Sequence, residues 1–182
     1  MCIRDRVWTG TLSQYKLSNI QNVYTVEATT GTEGKDQVWN IERLKFQDQC
    51  LALDMAGNAG LTAKVLSAVF GKAALANKQY VGIGLYYLDD LSFSYSNLLQ
   101  LAINASLGAN PSHEQVVNLL YTNVIGQAPD TATRKVYTDL LDNQTYTVAG
   151  LAVLAADTEY NKANVNLVGL AQTGLAYLPF SS

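Results

Sequence analysis

The sequence is short of the residues from which most active sites are made. It carries one histidine, two cysteines and three prolines in 182 residues. A lone histidine, His113, removes most transition-metal ligand sets. Its chain neighbours Ser112 and Glu114 do not face it at a helix start, so no nucleophile–base pair is legible there. The reading of His113 is a solvated first-turn residue. Twelve basic residues against fifteen acidic ones leave a net charge of −3. No basic cluster stands among them, which speaks against a nucleic-acid surface. No apolar run reaches the roughly 18 residues of a membrane span. The stretch GIGLYY (82–87) has one glycine pair and lacks the third glycine of a dinucleotide fingerprint.

The opening hexapeptide MCIRDR translates DNA that looks like a transposon-end sequencing adapter. Residues 1–6 are therefore read as a scar and set aside from fold reasoning. Without Cys2 only Cys50 remains, and no intrachain disulfide is possible. The chain is then expected to be the C-terminal part of a longer one.

What is present divides near residue 54. The composition, 48% hydrophobic and 15% charged, suits a globular chain with a real core. Residues 7–53 alternate in short stretches: Tyr15 with Leu17, Tyr24 with Val26, Leu44 with Phe46, Leu51 with Leu53. That period of two predicts a small antiparallel β unit of three to five strands. Its expected turns are Ser18-Asn19, residues 30–34 and Gln47-Asp48-Gln49. A bend near Glu42-Arg43 would bring Trp39 and Ile41 to the same side as Leu44 and Phe46.

Residues 54–182 carry helical spacing instead. Ala63, Leu66, Val69 and Phe70 form one apolar stripe that stops at Gly71. Val116, Val117, Leu120, Tyr121 and Val124 form another that stops at Gly126. Start signals are Ser112 with Gln115 as a capping box (Asn110-Pro111 being an alternative), Asp130 after Pro129, and Thr145 or Thr147. A last helix is expected over Val165–Tyr177, closed by Pro179. The stretch at 63–73 aligns with 117–128, and Leu88-Asp89 with Leu141-Asp142, at a period of about 50 to 55 residues. Two related multi-helix units, about 60–107 and 112–178, are thus expected. The fold class is α+β: a β unit followed by a mainly α domain.

The segments LALDMAGNAG (51–60) and LLYTNVIGQAPD (119–130) together resemble the domain of unknown function 4214 family, whose pattern has D-G-N-A-G and L-Y-x-N-V-L-x-R-x-P-D. That family is similar to phycobilisome linker domains and occurs in secreted and surface bacterial proteins, often beside calcium-binding nonapeptide (RTX) repeats. Residues 31–54 resemble the β unit that precedes it there. Departures are Ala56 for the first glycine, Gln127 for the usual arginine, Gln49 for a turn glycine, and Leu75-Ala76 where Pro-Asp would stand. The resemblance implies an interaction or scaffold module, non-catalytic, at the C-terminal end of a larger secreted or cell-surface protein. Low charge with many Asn, Gln and Thr suits an extracellular place, and a single Cys suits type I export without disulfides; the expected partner is a protein or surface polymer, the missing upstream chain being one candidate.

The residue-level candidates are few. Residues 31–39 match the calcium nonapeptide G-G-x-G-x-D-x-U-x except at Thr32, which makes Gly34 and Asp36 candidate calcium ligands. Asp54 and Asn58 are a second candidate pair, and both can equally hold the backbone of a strand-to-helix turn. The expectation is no cofactor. The alternative is a calcium-dependent accessory region of an exported adhesin or hydrolase whose active domain lies upstream. Asp89-Asp90 and Asp139/Asp142 fall at helix ends, where turn and capping roles are expected rather than paired-carboxylate chemistry. The tyrosines fall at core spacing, so packing is favoured over a carbohydrate platform.

Overall fold

The computed structural model describes residues 5–31 and 33–180; of the opening hexapeptide, residues 1–4 lie outside the described residues. The class is α+β. Strands β1 (Asp5–Val7), β2 (Tyr15–Ile20), β3 (Val23–Ala28), β4 (Lys35–Val38), β5 (Arg43–Lys45) and β6 (Cys50–Ala52) come first. Helices α1 (Asn58–Phe70), α2 (Lys78–Asp89), α3 (Tyr95–Leu107), α4 (His113–Ile125), α5 (Thr131–Asp142), α6 (Val148–Ala156), α7 (Glu159–Val165) and α8 (Leu167–Thr173) follow. Strand β7 (Leu175–Tyr177) closes the order.

Three corrections concern the β unit. Among the described residues it holds six strands before residue 54, one more than the expected upper bound, and they divide between two sheets. One sheet is the antiparallel meander β2-β3-β4; the other runs β1-β5-β6-β7, with β1 parallel to β5 and the rest antiparallel. Ser18-Asn19 is not a turn: both residues pair inside β2. The turn is Gln21-Asn22, both at positive φ, which gives the two-residue hairpin its twist. Trp39 also departs from expectation. Asn40 takes φ +55, and Trp39 is 64% exposed while Leu44 and Phe46 are buried. The turn at 46–49 stands as read, with Phe46 N–H donating to Gln49 O at 2.9 Å.

The last segment is the largest correction. Val165–Tyr177 is not one helix. Asn166 enters the left-handed region at φ 53, Gly174 takes φ 76, and Leu175–Tyr177 pairs with β6. This return places the β1-β5-β6-β7 sheet between two cores. Cys50 and Ala52 of β6, with Leu175 and Tyr177 of β7, face a helical core containing Ala59, Ala63, Leu66, Val81 and Leu85. Leu51 and Leu53 face the opposite way, among Trp8, Tyr24, Val26, Leu44 and Phe46. Strand alternation thus serves two apolar layers at once.

The third core is entirely helical and unites both units: Val65 and Val69 of α1 meet Leu99 and Ile103 of α3, Val116 and Leu120 of α4, and Leu151 and Ala152 of α6. α1 takes part in two cores, which explains why most of its residues are buried. The helix ends follow local chemistry. Ser112 accepts from Gln115 N–H in a full capping box, while Asp130 accepts from Thr133 N–H and Thr147 from Gly150 N–H. Gly71 and Gly126, both at positive φ, end α1 and α4.

Six of the eight helices among the described residues fall into two sets of three. α1 and α4 begin 55 residues apart (58 and 113); α2 and α5 begin 53 apart (78 and 131), as do α3 and α6 (95 and 148). Across the sets, α1 packs on α4 and α3 packs on α6. Each three-helix set lacks a complete core, and like helices supply it to each other.

Candidate functional site

Arg43 is the most consequential polar residue of the structure. Strand β5 carries it inward, leaving it 2% exposed. Its Nη1 donates to Asp54 Oδ1 and, at 2.8 Å, to Glu42 O; its Nη2 donates to Asp89 Oδ2 at 2.7 Å. Asn58 Nδ2 then donates to the other Asp89 oxygen at 2.7 Å. Four elements meet here: β5, the turn after β6, the start of α1 and the end of α2.

The sequence folds this way for local reasons. Asp54 ends the strand region, and its carbonyl accepts from Gly57 N–H at 2.8 Å. Its carboxylate accepts from Ala59 N–H at 3.3 Å, inside the first turn of α1, where the helix dipole favours a negative charge. The chain must pass close to itself to do so: a β-carbon at Gly60 would fall 1.9 Å from Met55 O. Hence the second glycine of DMAGNAG. Asp89 is the opposite case. It is the last residue of α2, where the dipole disfavours a carboxylate, and Arg43 and Asn58 offset that. Burial alone would lower the Arg43 pKa, but Asp54 and Asp89 outweigh it and hold the guanidinium above its ordinary value.

A cavity of about 220 Å³ adjoins this cluster, walled by Arg43, Asp89, Asp90, Tyr86, Tyr177 and Phe180. Tyr177 and Cys50 both have raised pKa values, burial being the main cause in each. Cys50 is buried and free, a packing residue in the β6 register.

The four candidate calcium ligands fall in two places. Asp54 and Asn58 belong to the Arg43 cluster, where a fixed guanidinium stands against the carboxylate that a calcium ion would need. Gly34 and Asp36 lie in the β3–β4 turn and in β4 of the β2-β3-β4 sheet. Gly34 O accepts from Ala28 N–H at 2.8 Å, and Asp36 pairs with Arg6 at 3.2 Å. The turn joins two strands, and Thr32 within it lies outside the described residues. Among the described residues, no group of three or more His, Cys, Asp or Glu could hold a metal ion.

His113 does have a carboxylate partner, which its chain neighbours did not reveal. Its Nδ1 stands 2.5 Å from Asp142 Oδ1, at the surface. Ser112 beside it is committed to the helix cap, and Glu114 pairs with Arg134. Tyr95, Lys64 and Asp157 form a further clasp: Lys64 Nζ reaches Asp157 at 2.5 Å and lies 4.9 Å from the centre of the Tyr95 ring. Burial, reinforced by Asp157, raises the Tyr95 pKa.

Two residues central to this geometry carried weak signals. Arg43 appeared only as an arginine beside a bend, and Asp142 only as a helix-end acid. Their partners stand 46 and 29 residues away, beyond any local pattern.

The fold and these clusters define an α+β chain in which two three-helix sets of like order are clamped to a two-sheet unit. A family model described as Domain of unknown function (DUF4214) matches residues 95–164, and that segment is similar to the family. The match runs from α3 into α7, so it takes in one helix of the first set and all of the second. It includes Asn123, whose Nδ2 donates to Ala68 O at 3.2 Å and Val69 O at 2.7 Å, satisfying carbonyls at the end of α1. Comparison with curated proteins and with solved structures found no match.

Proposed function

We propose that this chain is a non-catalytic interaction or scaffold module of a larger secreted or cell-surface bacterial protein. The observation that carries the reading is the outer face of the second helical set. There Leu154 (46% exposed) and Tyr160 (67% exposed) border a cleft of about 170 Å³ lined by Tyr121, Tyr137 and Ile125. Large apolar and aromatic side chains left at a surface, and not folded into a core, are the kind that anchor a partner. Several charged side chains, by contrast, are paired with one another: Arg43 with Asp54 and Asp89, His113 with Asp142, Lys64 with Asp157. The same reading follows if the resemblance of DMAGNAG and LLYTNVIGQAPD to a linker-like, RTX-associated family extends to what the chain does, with a protein or surface polymer as partner. Among the described residues no helix is long and apolar enough to cross a membrane.

Peptide-display selection on the purified chain tests this. The expected result is enrichment of ligands that bind the native chain and are lost in a Leu154→Asp/Tyr160→Asp double variant of unchanged circular dichroism. Enriched ligands indifferent to both substitutions would contradict it. Recovery of the native protein outside the cell tests its location; confinement to the cytoplasm would contradict that part.

A further inference from the structure

One face of the β2-β3-β4 sheet packs on a core and the other faces outward. Tyr24, Val26 and Val38 point into the core, so strand alternation turns their chain neighbours the opposite way. The register sorts those neighbours into rows across the three strands. Ser18, Thr25 and Gln37 make the middle row. Lys16, Glu27 and Lys35 make the row at one end, where Lys35 Nζ stands 3.6 Å from Glu27 Oε2. At the other end Ile20 stands opposite Val23, and Trp39 follows Val38 by one residue, beyond the last β3–β4 pair.

This face combines an aromatic surface with uncharged hydrogen-bonding groups. The Trp39 indole is 64% exposed and Ile20 is 73% exposed, which leaves an apolar strip in water at the sheet end. In the next row Ser18, Thr25 and Gln37 offer two hydroxyls and an amide, and their side chains make no hydrogen bond to another described residue. That row carries no charge, and Glu27 and Lys35 offset each other beyond it.

We propose that the outer face of the β2-β3-β4 sheet binds a neutral polysaccharide of β-linked, equatorially hydroxylated pyranoses, with Trp39 as its stacking platform. Such a sugar turns C–H groups outward from its ring, and the partial negative charge of an indole face attracts them. Its hydroxyls lie at the ring edge. Side chains two residues apart on a strand stand about 6.6 Å apart, so a ring on Trp39 brings its edge to the Gln37 amide. A polymer that runs as a flat ribbon suits an open sheet face, where a coiled one would touch at a single sugar. The uncharged middle row gives an acidic polymer no counter-charge to offset its desolvation. The tyrosines keep their packing roles, and the surface is separate from the α4–α6 cleft and does not rest on the reading made of it.

The test is an amide-resolved NMR titration of the chain with cellohexaose and with xylohexaose. At least one should bind saturably at millimolar concentration, with shifts concentrated in residues 16–25 and 35–39. Trp39→Ala should weaken binding about tenfold and Trp39→Phe less; at so exposed a position both should keep the circular dichroism of the unaltered chain. Gln37→Ala should weaken it about threefold. The Leu154→Asp/Tyr160→Asp variant should bind as the unaltered chain does, which separates this surface from the cleft. Saturable binding of neither sugar, shifts concentrated elsewhere, insensitivity to Trp39→Ala, or equal binding of maltohexaose or hexagalacturonate would each overturn the proposal. So would self-association, or binding to phosphatidylglycerol vesicles, that Trp39→Ala abolishes, since either would give this face to a second copy or to a lipid surface.

Discussion

His113 and Asp142, 2.5 Å apart, join the first residue of α4 to the last residue of α5. Asn58 and Asp89 join the first residue of α1 to the last residue of α2 in the same way, at 2.7 Å. The two sets therefore share a bridge as well as a helix order. What differs is the surroundings. In the first set Arg43 from the β unit reaches the aspartate and buries it; in the second set the aspartate stays at the surface.

The exposed bridge should be exchangeable. His113→Asn recreates the Asn–Asp pair of the first set, and an exposed pair contributes only about 0.2–1 kcal/mol. Urea denaturation of the variant should shift stability by less than about 1 kcal/mol. A larger loss would show that the imidazole holds more than Asp142.

The buried bridge should not be exchangeable. Arg43→Met leaves Asp54 and Asp89 as uncompensated carboxylates, and breaking a buried pair in this way costs about 3–5 kcal/mol. Asp89→Asn keeps a hydrogen-bonding group for Arg43 and Asn58 and should cost less than Arg43→Met. Denaturant midpoints measured for both variants check the order. A neutral Arg43→Met would mean that the cluster does not clamp the β unit to the helices.

Acid sensitivity should be traceable in part to Asp130. Its folded pKa lies below the ordinary value because its carboxylate accepts from the backbone and hydroxyl of Thr133. A depressed folded pKa gives stability that is complete above the unfolded value, near 3.9, and is lost as pH falls through the folded one. Asp130→Asn keeps a cap and removes the titration. Its melting temperature should therefore fall less steeply below pH 4 than that of the unaltered chain. Parallel profiles would contradict this.

Calcium should leave the melting temperature where it is. Asp54 is held by Arg43 and Asp36 pairs with Arg6, so an ion would have to displace a guanidinium at either place. Thermal melts with millimolar calcium and with chelator should coincide within about 1 °C. A ligand present at 100 times its Kd would stabilise by about 2.7 kcal/mol, an upward shift too large to miss.

Much of the helical domain was legible because its signals are local. Ser112 with Gln115, Asp130, Thr147, Gly71 and Gly126 each act within one turn of the chain. The strand β7 was not legible. LVGLAQTGLAY is apolar enough for a helix, and only its pairing with β6, more than 100 residues earlier, makes Leu175–Tyr177 extended. Trp39 failed for a smaller reason: one left-handed residue, Asn40, reset the alternation on which its burial was argued. At the candidate site Asp54 and Asn58 were visible in DMAGNAG. Arg43 was visible only beside a bend and Asp89 only as a helix-end acid in the repeat; their pairing, 46 residues apart, decides what those two can do and left no pattern.

The measurement that tests the account most directly is photo-crosslinking in the native, full-length protein. A photoreactive amino acid at Tyr160, beside the second cleft, should give one discrete adduct with another macromolecule. The same amino acid at Asp139, on the outer face of α5, should give none. No adduct at Tyr160, or equal adducts at both positions, would contradict an interaction module built on this face.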